Sequence, residues 1–343
     1  QRTNIVLRSQ EFDNNTSFQK NLSSVSANTT TAPDGTLTAD TCTGDGTSGV
    51  HYLAQTASAT SGVAYTQSVF AKKGTNDFIQ ILGTIAIYDA NSWANFDLEN
   101  GVVGTVGSSA TATITDFGNG WYRCTMTATA TATISSNGFL LWLITSATSA
   151  RAETNSLATS VHLWGAQLEE GAYPTSYIPT TTATVTRNAD VISKTGISDL
   201  INSTEGVLFV EIAVLSDDST LKSITLSDGT GGNRVIINYS NASNRLTADV
   251  RVGAVGQAFM QTYSYTITNF LKIALKYKEN DFALWVNGTE VATDTSGSTF
   301  SANTLNRLGL DKGDGLELLF GKVKQLQVYK TALTDTQLAA LTS

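Results

Sequence analysis

Apolar and polar residues alternate with a period of two along almost the whole chain, the spacing that sends successive side chains to opposite faces of a strand. In DFIQILGTIAIYD (77–89), Ile79, Ile81, Ile85 and Ile87 fall on one face, with Gly83 among them. A tight turn at Gly118-Asn119-Gly120 leads into a strand that gathers Tyr122, Cys124, Met126 and Ala128. GFLLWLIT (138–145) is apolar in both phases, as expected of a central strand covered on two sides, and SVHLWGAQLEE (160–170) reads as the closing strand of the same unit.

The texture then changes. GAYPTSYIPTTTATVTRNADVIS (171–193) holds two of the three prolines, Pro174 and Pro179, and a threonine run without alternation. Proline fixes its own φ and biases its predecessor to extended geometry, so an extended connector is expected over 172–190. Tyr173, Tyr177 and Ile178 are its apolar anchors, expected to pack against one or both flanking domains. Beyond it, EGVLFVEIAVL, RVIINYS, RLTADVRVG and NFLKIALKYKENDFALWVNGTEVA read as a second set of strands. In 270–278 the pattern sends Leu271, Ile273, Leu275 and Tyr277 inward and Lys272, Lys276 and Lys278 outward. Asn287-Gly288 is a strong hairpin signal. The end of the chain predicts a strand burying Val323, Leu326 and Val328. A short helix follows, with Thr334 as N-cap, Gln337 completing a capping box, and Leu338 and Leu341 facing the sandwich. No repeat of 20–50 residues is present. The expected fold class is all-β: two β-sandwich (jelly-roll) domains in series, residues 1–171 and 191–343, with a short C-terminal helix.

Composition narrows the setting. Charged residues are 15% of the 343, against roughly 25% in an average soluble protein, and Thr, Ser, Gly and Asn take their place. That balance suits extracellular or virion β-structure. A net charge of -8, with no Lys/Arg cluster, argues against nucleic acid. No apolar run reaches about 18 residues, so no membrane insertion is expected. QRTNIVLRSQEF lacks the plan of a signal peptide and suggests an upstream anchoring segment. Cys42 and Cys124 could form one bridge or be two small buried thiols, and free thiols are favoured.

Two resemblances follow from particular motifs. APDGTLTAD, YTQSVFAKKG, ITDFGNGWYRCTMT and HLWGAQLEEGAYPTSYIPTTTATVTRNAD resemble a jelly-roll module of bacteriophage head spikes and tail fibres, itself similar to carbohydrate-binding modules. LKIALKYKENDFALWVNGTEVA and LFGKVKQLQVYKTALTDTQLAALTS resemble a laminin-G-like, concanavalin-A-like sandwich, whose members include lectins, adhesins, glycosidases and lyases.

Neither the Glu-x-Asp-x-Glu strand of retaining glucanases nor the Gln-Ile/Val-His strand of alginate lyases occurs, and no catalytic residue is assigned. His51 and His162 lack metal-ligand spacing, and His162 reads as structural. Adjacent Glu169 and Glu170 point to opposite faces of a strand, which suits a strand-end or connector contact. A structural Ca2+ is implied by the jelly-roll resemblance, with Glu11 and Asp13 as ligands. Where a second acid is expected the chain has Trp164-Gly165. Asp228 is a further loop-oxygen candidate, in an Asp-Gly sequence that is also a common turn. Glycan recognition needs aromatic faces flanked by amides and carboxylates. Trp121 and Trp142 read as core, leaving Trp93, Trp285, Tyr263 and Tyr265 as candidates.

The expected function is a non-enzymatic structural and adhesive component of a phage particle, a head spike or tail fibre at the virion surface. Its expected partners are host surface polysaccharide and other virion proteins, and the resemblance implies a homotrimer. The alternatives are a secreted or tail-borne polysaccharide depolymerase or lyase using Tyr263, Tyr265, Lys276 and Arg251, and a bacterial surface protein built from the same modules.

Overall fold

The computed structural model describes residues 1–343 and divides into two compact units, Gln1–Ala189 and Asp190–Ser343. The first contains β1 (Arg2–Asn4), β2 (Gln19–Asn21), β3 (Ser23–Thr30), β4 (Ala39–Gly44), β5 (His51–Ala59), β6 (Ala64–Lys73) and β7 (Phe78–Leu82). It continues with β8 (Trp93–Asp97), β9 (Val102–Val106), β10 (Ala110–Asp116), β11 (Trp121–Thr129), β12 (Ile134–Leu143), β13 (Ser160–Glu170) and β14 (Val185–Arg187). Two six-stranded antiparallel sheets, β10-β11-β6-β13-β4-β3 and β2-β5-β12-β7-β8-β9, enclose the core, and β1 pairs with β14.

The doubly apolar β12 is used on both faces. Phe139, Leu141 and Leu143 enter the inter-sheet core, whereas Leu140, Trp142 and Ile144 form a second cluster on the outer face. A loop lies over that outer face, and its backbone polar groups need partners. Outward Gln80 and Asn95 supply them: Asn95 Nδ2 donates to the carbonyls of Ala147 (3.2 Å) and Ser149 (2.8 Å), and Ala152 N–H donates to Gln80 Oε1 at 2.9 Å. The isoleucine pattern holds only in part, because Ile79, Ile81 and Ile87 are buried but Ile85 is 67% exposed. The chain leaves the sheet at Gly83, where a Cβ would meet Tyr88 Cδ2 at 2.8 Å, and turns before Ile87 re-enters the core.

Cys42 and Cys124 are free and buried in the inter-sheet core. Burial pushes the Cys42 thiol up to about 12, and the Cys124 thiol well above its ordinary value. Thiolate is the reactive form. An aromatic disulfide reagent in mildly alkaline buffer is therefore expected to label neither cysteine in the folded protein and both in urea. Rapid labelling of the folded chain would contradict the burial.

The segment after β13 is stitched into this first unit. Tyr173 and Ile178 are buried and Tyr177 is half-buried, packed beside Phe70 and Trp164. Ile178 N–H donates to Gln167 Oε1 (2.7 Å), and Asn4 Nδ2 donates to the Ile178 carbonyl (2.8 Å). Thr180 exchanges backbone and side-chain hydrogen bonds with Ser9 and Val6.

The second unit contains β15 (Ser193–Thr195), β16 (Glu205–Val214), β17 (Lys222–Ser227), β18 (Arg234–Tyr239), β19 (Leu246–Val252) and β20 (Val255–Thr262). It ends with β21 (Leu271–Lys278), β22 (Phe282–Val286), β23 (Thr289–Asp294), β24 (Arg307–Gly309), β25 (Gly321–Tyr329) and α1 (Asp335–Thr342). The sheets are β15-β24-β17-β18-β19-β20 and β23-β22-β21-β16-β25. Asn287 (φ 48°) and Gly288 (φ 81°) join Val286 to its partner Thr289, the positive φ pair that a two-residue hairpin of this twist requires.

The Thr334 capping box forms as the sequence predicts. Helix α1 seats Leu338 on Val207, Phe209, Ala274, Ala283 and Trp285, the outer face of the five-stranded sheet. Two expectations change. Lys276, read as outward, is buried, with its ammonium 2.6 Å from Asp281 and 3.6 Å from Asp335 in the first turn of α1. Val323 is exposed rather than inward, and a bulge opposite Glu211 and Ile212 interrupts the alternation there. No helix of the protein is long and apolar enough to cross a membrane.

Candidate functional site

In the six-stranded sheet of the second unit, alternation sends Val235, Ile237, Leu246, Ala248, Val250, Ala258 and Met260 into the core. The intervening residues therefore face outward. Register aligns Ile236, Asp249 and Phe259 in one row across β18, β19 and β20, and Asn238, Thr247 and Gln261 in the next. Arg234 is paired with Arg251. The result is a shallow polar trough with an aromatic margin.

One wall is the loop from Asp311 to Leu319, which folds back over β17. Ser223 N–H donates to the Glu317 carbonyl at 3.2 Å, and Thr225 Oγ1 donates to the Asp311 carbonyl. Buried Asp311 holds the loop's shape. Its carboxylate accepts both terminal nitrogens of Arg307, one at 2.8 Å, and the Gly313 N–H at 2.6 Å. Burial alone would raise the Asp311 pKa, but these donors outweigh it and hold the carboxyl below its ordinary value.

The opposite margin is the edge strand β20 and its continuation. Phe259 is 56% exposed and Tyr263 54% exposed. Arg245 lies over the Tyr263 ring at 5.8 Å and donates to Gln261 Oε1 at 2.9 Å. On the floor, Asp249 Oδ2 accepts from Arg234 Nη2 at 3.0 Å and from Arg251 Nε at 2.8 Å. Asp249 is thus committed to holding two guanidinium groups. The trough offers an apolar ring, forked donors and side-chain amides, the inventory that fits a sugar ring with its hydroxyls.

Of the four aromatic candidates, only Tyr263 belongs to this trough. Trp285 points away from the core as the alternation implied, but helix α1 covers it and leaves 7% exposed. Tyr265 is half-buried and donates its hydroxyl to the Val286 carbonyl at 3.2 Å. Trp93 is half-buried among Phe78, Leu82 and Trp142 in the other unit. Its polar neighbours are occupied locally: Asp97 accepts the N–H groups of Glu99 and Asn100, and Asp89 accepts that of Asn91. Tyr263, Tyr265, Lys276 and Arg251 do not converge, since Lys276 lies under α1 on one sheet and Arg251 on the outer face of the other.

Phe259, Arg234, Asp249 and Gln261 were missed by sequence reasoning, and Arg251 was named only for the lyase alternative. Their signal was present in the outward phase of RVIINYS, RLTADVRVG and GQAFMQT, three consecutive strands carrying three arginines, an aspartate and a phenylalanine.

The metal candidates are also dispersed. Glu11 pairs with Arg8 at 2.6 Å. Asp13 is exposed, and its carbonyl accepts from Lys20 Nζ at 3.0 Å. Asp228 accepts from Thr230 N–H (2.9 Å) and Asn233 Nδ2 (2.7 Å), the hydrogen bonding of an Asp-Gly turn. No group of three or more His, Cys, Asp or Glu side chains is arranged to hold an ion. Instead, buried Asp40 organises the N-terminal loops, accepting the N–H groups of Phe12 at 2.8 Å and Asn28 at 2.9 Å. His162 hydrogen-bonds Thr41 Oγ1 at 2.9 Å, with its pKa lowered by burial and by Lys72.

Another aromatic-bearing concavity, of about 280 Å³, lies in the first unit beside Thr31, Lys72, Phe117 and Trp121. Its Trp121 is buried and spends its indole N–H on the Thr31 carbonyl at 3.0 Å, leaving Phe117 as its exposed ring.

Residues 208–339 match the family described as the concanavalin A-like lectin/glucanases superfamily. The second unit is a concanavalin-A-like sandwich. No curated protein matches the chain. Among solved structures, the CBM40 of Ruminococcus gnavus IT-sialidase, bound to α2,3-sialyllactose, is 17% identical with a TM-score of 0.35, over 44% of this chain and 98% of that one. The sheep galectin-11 complex with glycerol is 9% identical with a TM-score of 0.29, over 42% and 99%. The heptameric SAP-like pentraxin of Limulus polyphemus is 14% identical with a TM-score of 0.35, over 42% and 72%.

Proposed function

We propose that the chain is a non-enzymatic glycan-binding component of a bacteriophage surface structure, a head spike or tail fibre, and that the outer trough of its second unit is the binding face. The observation that carries the binding face is the exposed Phe259 set directly across from the arginine-bracketed Asp249. Support for glycan binding also comes from the match of residues 208–339 to a superfamily described by its lectins and glucanases. The phage setting rests on the sequence motifs of residues 1–190, and with it go a virion-surface location, other virion proteins as neighbours and a homotrimeric assembly. A secreted adhesin would use the same face.

The test is binding to an array of bacterial surface polysaccharides, with product release monitored on the same samples. Binding without new reducing or unsaturated ends is expected. Phe259→Ala is expected to weaken it by about 1–2 kcal/mol, roughly tenfold, as for loss of a central aromatic contact. Phe117→Ala in the other concavity should leave it unchanged. Steady product release would sink the non-enzymatic reading, and the opposite ranking of the two variants would move the site to the first unit.

A further inference from the structure

We infer that the trough selects acidic glycans, by docking the carboxylate of a uronate-type sugar on Arg251 while the same sugar ring lies on Phe259; this rests on the trough being the glycan-binding face.

Three cations, Arg234, Arg245 and Arg251, line the trough, and Asp249 is the carboxylate set among them. At the wall Asp314 and Glu317 share one cation, lying 3.5 and 3.3 Å from the Lys312 ammonium, so the trough's cations exceed its carboxylates by one. A local positive surplus therefore persists in a chain whose net charge is -8. Arg234 and Arg251 occupy paired positions, where like charges repel. Asp249 bridges them through a single oxygen, offsetting one charge and leaving the other unbalanced.

Geometry makes the surplus usable. Arg234 is largely covered, with side-chain exposure of 11%, whereas Arg251 keeps 43%. Only the Nε of Arg251 is spent on Asp249, so its two terminal nitrogens form a fork directed away from that bond. A planar fork matches a carboxylate through two parallel N–H···O bonds. Because Asp249 fixes the guanidinium before any ligand arrives, less side-chain freedom is lost on binding. Phe259 sits directly opposite Asp249 in the antiparallel pair, about 5 Å away between Cβ atoms. Arg251 bonds that same Asp249, so a pyranose ring lying on Phe259 can present a carboxylate to the fork, while a neutral sugar would leave the fork without a partner.

The experiment measures the full chain binding to polygalacturonate, to the same polymer after carboxyl reduction, to dextran and to dextran sulfate, at two salt concentrations. Polygalacturonate is expected to bind at least about tenfold more tightly than its reduced form, with the preference falling as salt rises. Arg251→Gln should abolish that preference, and Arg251→Lys should fail to restore it because the fork is lost. An unchanged urea midpoint in both variants establishes that each is folded. Equal binding of the reduced polymer, an Arg251→Gln variant that keeps the preference, or stronger binding of dextran sulfate overturns the inference. If Phe259→Ala still weakens binding in those cases, the trough remains the glycan site. If Phe259→Ala changes nothing for any polymer, the trough reading fails, and the inference with it.

Discussion

Asp311→Ala is expected to destabilise the second sandwich by about 3–5 kcal/mol, the cost of leaving a buried charge without its partner. Arg307 has a side-chain exposure of 9% and Asp311 of 0%, so water cannot replace the lost carboxylate. The same substitution strips the Gly313 N–H of its acceptor, loosening the turn that starts the trough wall. Hydrogen exchange at the amides of β17 and β24 across a urea series measures the effect. A loss below about 1 kcal/mol, the range of exposed pairs, would contradict the bonding described. The pH dependence has a defined sign. Since the native Asp311 carboxyl is held below its ordinary value, its contribution is present above the unfolded pKa of about 3.9 and is lost as pH falls through the native one. Asp311→Asn should remove that part of the acid sensitivity. Glycan binding should weaken with either variant, because the wall over β17 hangs from this pair.

Glu169→Ala is expected to cost the first unit about 3 kcal/mol or more, because it strips three buried or part-buried donors of their acceptor at once and removes the negative charge nearest buried Arg123. Glu169 is fully buried and accepts from Thr175 N–H (2.9 Å), Thr175 Oγ1 and Gln167 Nε2 (2.6 Å). Arg123 donates to the Thr175 carbonyl at 2.6 Å, and burial lowers its pKa to about 10 against the opposing charge of Glu169. Without Glu169, the guanidinium is buried with no counter-charge and the segment around Pro174 loses its fastening. Trp164 lies 4.6 Å from Tyr177 in that segment, so tryptophan emission should shift at denaturant concentrations below the main transition. A single transition with an unmoved midpoint would show that the segment is held by its apolar contacts alone.

Alternation made the sheets legible. Strand β13 and the Asn287-Gly288 hairpin lie where the pattern puts them, because period two and a positive-φ turn are local properties. What covers a face is not local. Trp285 and Lys276 were both read as outward, and both are outward from the core, yet helix α1 closes over them from some 50 residues further along the chain. Glu169 was read as a strand-end or connector contact, and it does hold the connector through Thr175, but its burial beside Arg123, two strands away across β6, needed the sheet order. The trough escaped notice for a related reason. Arg234, Asp249 and Phe259 come from three strands, and no one of them stands out until register sets them side by side.

The two unpaired thiols have a consequence for assembly. Most of the apolar residues around Cys42 and Cys124 already close the first core, and no covalent bridge contributes to it. Folding therefore requires no oxidant, and the finished protein presents no bond for a reductant to cut. A chain built this way can complete its fold inside a reducing cell and carry it unaltered into oxidising surroundings.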